Sequence, residues 1–325
     1  MILTSTDPVC IPRDPRSLGR EWSELARRRA RPVVFLTPEW LAVARAHDPR
    51  EQLTFAVGDP AVGVIALARD AAIISFAGGE LTDEQDVLAP AGRERQAADA
   101  LGSWLVANAA PRVLLEYVPE DVPTLAVVAG TLERAGYRVR TERLVTAPRV
   151  ALAGDFEGLV QGLTKKERHE LRRKIRRLET GRTVTFRFAT AAEQAAVLDR
   201  FVALHRLSHG EKGTFMTAER ERFFRDVADA LAAPGWLRLG VLRVDGEDAA
   251  VLYAFAYEGT LALYNAAYDP ALSALSVGIV CHAYAIREAI AEGLHTYDLL
   301  RGNEPYKYDL GAEDHWLVRL EATRP

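Results

Sequence analysis

The sequence predicts an α/β (α+β) chain of two similar halves, each a mixed, mostly antiparallel sheet flanked by helices. Three observations predict it. The 325 residues are about twice the common domain size of roughly 100–150. Helix-period and strand-period segments alternate along the chain. Residues 53–67 and 237–256 also share one order of strand, tight turn and strand, with helices before them and a further strand after. So long a repeat, occurring twice, fits an ancient duplication and not a solenoid. The expected division is 1–150 and 151–325.

The elements follow in order. Thr37-Pro38-Glu39 opens a helix, with a capping residue, a proline at the first helical position and an acid in the first turn. Residues 53–57 and 62–67 form a hairpin across Gly58-Asp59-Pro60, and 73–76 adds a strand. A helix over 94–109, a buried strand over 113–117 and a helix over 121–135 ending at Gly136 complete the first half. In the second half, helices are predicted at 164–180, 191–208 and 217–232, the last closed by Pro234-Gly235. Strands at 236–244, 249–257 and 260–267 are joined by Asp245-Gly246 and Glu258-Gly259, and tight hairpins favour Asp-Gly because both central residues take positive φ. A long apolar helix at 276–292 and strands at 294–300 and 316–320 end the chain.

Composition excludes several classes. With 49% hydrophobic and 26% charged residues the chain is neither disordered nor collagen-like. A net charge of −4 predicts neither a nucleic-acid coat nor a membrane-surface protein. Only Cys10 and Cys281 occur, so no disulfide framework or cysteine zinc site is expected and the chain reads as intracellular. Residues 1–8 lack a basic, apolar leader pattern, and no run is long enough to span a membrane.

Near-neutrality hides one exception. Residues 164–182 hold nine Lys or Arg and three Glu, a local +6 against −10 elsewhere. Thr164 and Glu167 make a capping box, Gly181 a stop, and Leu171, Ile175 and Leu178 one apolar face. The other faces present the bases, either as a solvated helix or as a cradle for phosphates of a coenzyme, a lipid carrier or RNA; Arg172 and Arg173 are the candidate phosphate ligands. Ser276-Val277-Gly278 begins the apolar helix, where free N–H groups and the positive end of the dipole can hold a pyrophosphate, though simple capping explains it equally. The segment from Tyr297 to Gly311 concentrates acids, bases and phenols after a buried strand, as a site or as an ion-paired turn. His205 and His209 share a helical face but lack a third ligand, so no metal is expected; Cys281 reads as a core residue.

Taken together, these segments resemble a known family. Gly162-Leu163-Thr164-Lys165-Lys166, Gly235-Trp236-Leu237-Arg238-Leu239, Val244-Asp245-Gly246, the loop from Asp269-Pro270 to Gly278, and Arg301-Gly302-Asn303-Glu304-Pro305-Tyr306-Lys307 resemble the GNAT-superfamily acyltransferases of the cellulose-biosynthesis type, similar to Fem-type aminoacyl and peptidyl transferases. The resemblance spans about 33–311, opening at Phe35-Leu36-Thr37-Pro38-Glu39-Trp40, and is strongest from 159 onward. It implies two tandem GNAT-like folds, the first structural and the second catalytic, and transfer of an acyl group from acetyl-CoA or another acyl-CoA to an amine or hydroxyl acceptor, without a metal. That acceptor would be a small-molecule, cell-envelope or polysaccharide precursor, met in the cytoplasm. Ser276, Val277 and Gly278 match the position of the pyrophosphate loop, and Lys307 matches a transition-state lysine of the Fem-type enzymes. Direct transfer needs a base, a proton donor for the thiolate and an oxyanion stabiliser. Glu304 or Asp298 is the expected base, Tyr306 the donor and Lys307 the stabiliser. The alternatives are an aminoacyl-tRNA donor held by the basic helix, or a non-catalytic binding or assembly protein that kept the fold.

Overall fold

Two β-sheets, each antiparallel except for one parallel step, organise residues 9–208 and 214–325, which the computed structural model describes. The chain divides into one unit of Met1–Thr146 with His315–Pro325 and a second of Ala147–Asp314. Elements are numbered in chain order.

In the first unit the strands are β1 (Cys10–Pro12), β2 (Glu51–Val57), β3 (Val64–Asp70), β4 (Ile73–Phe76), β5 (Arg112–Pro119), β6 (Arg138–Thr146) and β13 (Trp316–Thr323). Their order is β1-β2-β3-β4-β5-β13-β6, antiparallel except for the β4–β5 step. Helices α1 (Pro15–Arg27), α2 (Pro38–Ala46), α3 (Glu94–Ala107) and α4 (Thr124–Arg134) accompany them. Thr37 caps α2 as its sequence requires, its hydroxyl accepting from Trp40 N–H at 3.3 Å. Leu67, Leu101, Leu115, Val128 and Leu320 lie in one buried cluster.

The second unit holds β7 (Arg149–Ala151), β8 (Val184–Phe188), β9 (Leu237–Val244), β10 (Glu247–Tyr257), β11 (Thr260–Tyr268) and β12 (Thr296–Asp298), in the order β7-β12-β11-β10-β9-β8. Its helices among the described residues are α5 (Phe156–Gly162), α6 (Lys165–Glu179), α7 (Gln194–Leu207), α8 (Ala218–Ala232), α9 (Val277–Ala291) and α10 (Pro305–Asp309). Asp245 and Gly246 both take positive φ, 52° and 90°, as the β9–β10 turn demands, and Glu258 and Gly259 repeat this before β11. Helix α9 links antiparallel β11 to parallel β12. It is apolar around its circumference because it is buried around its circumference: Val277, Val280, Cys281, Ala283 and Ile286 are at most 1% exposed.

The sheets match step for step: β3–β4 and β10–β11 are antiparallel, β4–β5 and β11–β12 parallel, with α3 and α9 between the parallel strands. This is the tandem α/β architecture expected. The strand near 316–320, grouped by chain position with 151–325, pairs instead in the first sheet, between β5 and β6. The corresponding place beside β12 is taken by β7. The strand expected over 294–300 is also shorter, because Asp298 turns into an ion pair and Leu300 adopts a φ of 54°. Among the described residues no helix is long and apolar enough to cross a membrane.

Candidate functional site

The site begins where β11 and β12 part. They pair only at Thr260–Thr296, Leu261–Tyr297 and Ala262–Asp298. Beyond that β11 continues to Tyr268 with β10 on one side, and among the described residues no strand joins its other edge. A bulge sits in this stretch: Tyr253 faces Asn265 while Ala254 faces Leu263, leaving Tyr264 as the extra residue. Bulges bend a strand and so widen such a gap. Alternate residues here direct backbone groups into the opening. Asn265 Oδ1 accepts from Ala266 N–H at 2.7 Å and from buried His205 Nε2–H at 2.6 Å.

At the far end of β11 lies the N-terminus of α9. Asp269 caps the preceding 3-10 turn, accepting from Ala271 N–H at 2.9 Å. Ser276 follows in the left-handed region, and no side chain caps α9 itself. Gly278 faces the Tyr268 ring so closely that an added Cβ would lie 3.3 Å from Cδ1. Arg177, at the end of α6, donates to Ser276 Oγ at 2.6 Å. The basic helix therefore meets the helix N-terminus through Arg177. Arg172 and Arg173 are engaged elsewhere, Arg172 with Glu157 and Arg173 with Glu170 at 2.7 Å. Leu171 and Leu178 point inward as expected, and both halves of the Thr164–Glu167 capping box form.

The segment after β12 is a buried polar assembly. Asp298 is 4% exposed; its Oδ2 accepts from Arg149 Nε at 2.7 Å and its Oδ1 from Leu300 N–H at 2.9 Å. Lys307, 2% exposed on α10, donates to the carbonyls of Leu300, Arg301 and Gly302 at 3.0, 2.8 and 3.1 Å and pairs with Glu304 Oε2 at 3.0 Å. The Glu304 side chain itself is more than half exposed. His282, on α9, bonds Tyr297 OH at 2.8 Å and stacks on Tyr306 at 5.1 Å. Burial pushes the Tyr297 and Tyr306 phenols well above the usual range, with the Glu304 charge adding to the effect on Tyr306. Tyr306 is thus a neutral hydrogen-bond donor at physiological pH.

Of the expected residues, Glu304, Tyr306, Lys307 and Asp298 gather in this loop, and Ser276, Val277 and Gly278 stand at the α9 terminus. Sequence reasoning passed over Arg149, Arg177 and His282. His282 carried a signal, as the one histidine in an otherwise apolar helix stretch. Arg149, 149 positions from its partner, carried none. Of the histidine pair, His205 is engaged with Asn265 and His209 lies outside the described residues. Among the described residues no three His, Cys, Asp or Glu side chains group as metal ligands.

The equivalent gap in the first unit is filled. Residues 82–90 are all buried. Leu88 exchanges two backbone bonds of 2.8 Å with Val64, and Gln85 N–H donates to Tyr117 O at 3.0 Å, so the segment bridges β3 to β5 where β4 has ended. Asp86 anchors it, accepting from Arg29 at 2.7 Å, Thr124 at 2.6 Å and Val87 N–H at 2.8 Å.

Two parallel-step sheets, one gap open beside a helix N-terminus, define a tandem GNAT-type fold. Residues 165–308 match the family described as the Acetyltransferase (GNAT) domain. Solved structures agree in fold. FemX is similar at 12% identity and a TM-score of 0.66, covering 93% of this chain and 95% of FemX. L-PGS from Bacillus licheniformis is similar at 13% identity and a TM-score of 0.55, covering 89% and 91%. A tandem GNAT protein from the clavulanic acid biosynthesis pathway is similar at 13% identity and a TM-score of 0.54, covering 98% and 99%. No curated protein matches the chain by sequence.

Proposed function

We propose that the chain is a cytoplasmic N- or O-acyltransferase whose second unit takes an acyl-CoA and passes the acyl group directly to an amine or hydroxyl of a small-molecule, cell-envelope or polysaccharide precursor. The observation that carries this is the open β11 edge running to the uncapped α9 terminus with Arg177 beside it. An extended pantetheine arm pairs with such an edge, and a pyrophosphate suits a helix N-terminus flanked by a guanidinium. Ser276, Val277 and Gly278 are the backbone cradle, with Arg177 taking the role first given to Arg172 and Arg173. The first unit, its gap filled by residues 82–90, is the structural one.

Within the loop, roles follow from accessibility. Glu304 is the base: its carboxylate is exposed and held beside Lys307. Asp298 is not, since Arg149 and Leu300 N–H occupy its oxygens. Tyr306 is the neutral donor toward the leaving thiolate. Lys307 spends its three protons on the carbonyls of residues 300–302, so it fixes the loop and sets a positive potential there. Backbone N–H groups of the open β11 edge then receive the developing oxyanion.

A thioester-release assay with acetyl-CoA and longer acyl-CoAs tests the reading. Turnover with a raised KM in Arg177→Ala and an unchanged one in Arg173→Ala is expected. No binding or turnover of any acyl-CoA refutes it. The aminoacyl-tRNA donor is the second reading, favoured by the +6 charge of 164–182; salt-sensitive tRNA binding in place of acyl-CoA binding selects it.

A further inference from the structure

Helix α9 carries a single histidine, set among apolar neighbours. His282 is 4% exposed, and Cys281, Ala283, Ala285 and Ile286 beside it are at most 1% exposed. A leucine or phenylalanine would fill that space without the cost of burying a polar ring. Two contacts give the imidazole a different purpose. Its Nδ1 hydrogen-bonds the hydroxyl of fully buried Tyr297, on β12, at 2.8 Å. Its face lies on the Tyr306 ring, with the planes 19° and the centroids 5.1 Å apart. Among the described residues the Tyr306 hydroxyl meets no hydrogen-bond partner, so its direction is set by what the ring packs on. Gly278 and His282, four positions apart, share one face of α9. Gly278 lies against Tyr268 of β11 and His282 against Tyr297 of β12, so this face bridges the two strands whose parting opens the site. One helix thus carries both the backbone cradle and the ring that backs Tyr306.

We propose that His282 is a positioning residue for acyl transfer: clamped by Tyr297, its ring sets the plane of the Tyr306 ring and aims the Tyr306 hydroxyl at the leaving sulfur. This rests on the acyltransferase reading and adds to it a residue that acts through Tyr306. In the step concerned, the acceptor oxygen or nitrogen bonds the acyl carbon, the carbon–sulfur bond breaks with its electron pair left on sulfur, and the Tyr306 proton passes to that sulfur. Glu304 takes the proton lost by the acceptor, and exchange with water restores both groups after release. His282 gives and takes no proton; it fixes a direction. Misplacing a reacting group by about 1 Å can cost on the order of a hundredfold in rate.

Steady-state release of the CoA thiol from acetyl-CoA or longer acyl-CoAs, with water as the acceptor, tests it on the full chain. His282→Leu should lower kcat about tenfold and leave KM within about twofold, the mark of an interaction made in the transition state. Tyr297→Phe, which removes the clamp and keeps the ring, should lower kcat at least about threefold with the same KM. Tyr306→Phe should keep the residual turnover that the cradle and Lys307 support, and in that background neither change should lower kcat further. A kcat matching the parent in either variant, a fall mirrored by a rise in KM, or the same fall with the Tyr306 hydroxyl absent makes His282 a core residue and overturns the proposal, with the transferase reading left standing. No CoA release by the parent overturns both.

Discussion

Asp298→Asn separates a structural carboxylate from a catalytic one. Asp298 and Arg149 are paired at 2.7 Å with side chains 6% and 9% exposed, so neither charge has water to fall back on. Asparagine keeps the shape but removes the charge, and its amide turns a donor toward a guanidinium or toward Leu300 N–H. Removing one member of a buried pair costs about 3–5 kcal/mol. For a domain of this size at roughly 2–4 °C per kcal/mol, that is about 6–20 °C in Tm. Circular-dichroism melts would read it, with Arg149→Met, Asp298→Leu and the combined Arg149→Met, Asp298→Leu variant forming a double-mutant cycle. The combined variant should be clearly less destabilised than the two single changes added. Well below its melting point, Asp298→Asn should retain turnover that Glu304→Gln loses. A Tm within 1 °C of the parent, with turnover abolished, would refute the ion-pair argument and return Asp298 to the role of base.

Three further outcomes follow from the packing. Gly259→Ala should cost at least about 2 kcal/mol, since φ is 80° and the new methyl would sit 1.9 Å from His295 Cε1; Gly154→Ala, at φ 74° with open space around it, should cost about 1–2 by urea titration, and equal losses would refute the clash. Burial pushes the Cys10 thiol up to about 12 and that of Cys281 upward as well, so Ellman's reagent at pH 8 should label neither in the native protein and both in guanidinium. Glu193 is held down to about 2 by the Arg187 guanidinium and by the hydroxyl and N–H of Thr190. Its contribution to stability is complete above the ordinary glutamate value of about 4.3 and lost as pH falls toward about 2, so acid titrations of Glu193→Gln should show a shallower decline in that window.

What was legible in the sequence was local. The Asp245-Gly246 turn, the Thr164–Glu167 capping box and the Thr37 cap are each set by residues within four positions of one another, and all three form. The apolar run of α9 announced its burial in the same way. What escaped depends on distant partners. No local pattern tells β7 to lie beside β12, or β13 to enter the first sheet, because strand pairing is chosen by the sheet and not by the strand. Arg177 was hidden among eight other bases, and only the packing of α6 against α9 singles it out.

The two gaps explain why similar sheets need not share a task. Where β4 ends, the neighbouring backbone groups would be left unpaired inside the protein, a cost comparable to lost hydrogen bonds. The first unit meets that cost with its own chain: Leu88 pairs with Val64, Gln85 with Tyr117, and a buried Asp86–Arg29 pair pins the segment. Displacing it for a ligand would mean breaking all of these together. In the second unit the chain leaving β11 turns instead through Pro270–Leu275 into α9, and among the described residues no strand fills the edge. Ala266 N–H is satisfied from within, by Asn265, itself held by His205. An edge that stays half-satisfied stays receptive. His205→Ala should therefore loosen Asn265 and raise the KM for the donor more than it lowers kcat; a loss confined to kcat would show that His205 acts in chemistry and not in shaping the edge.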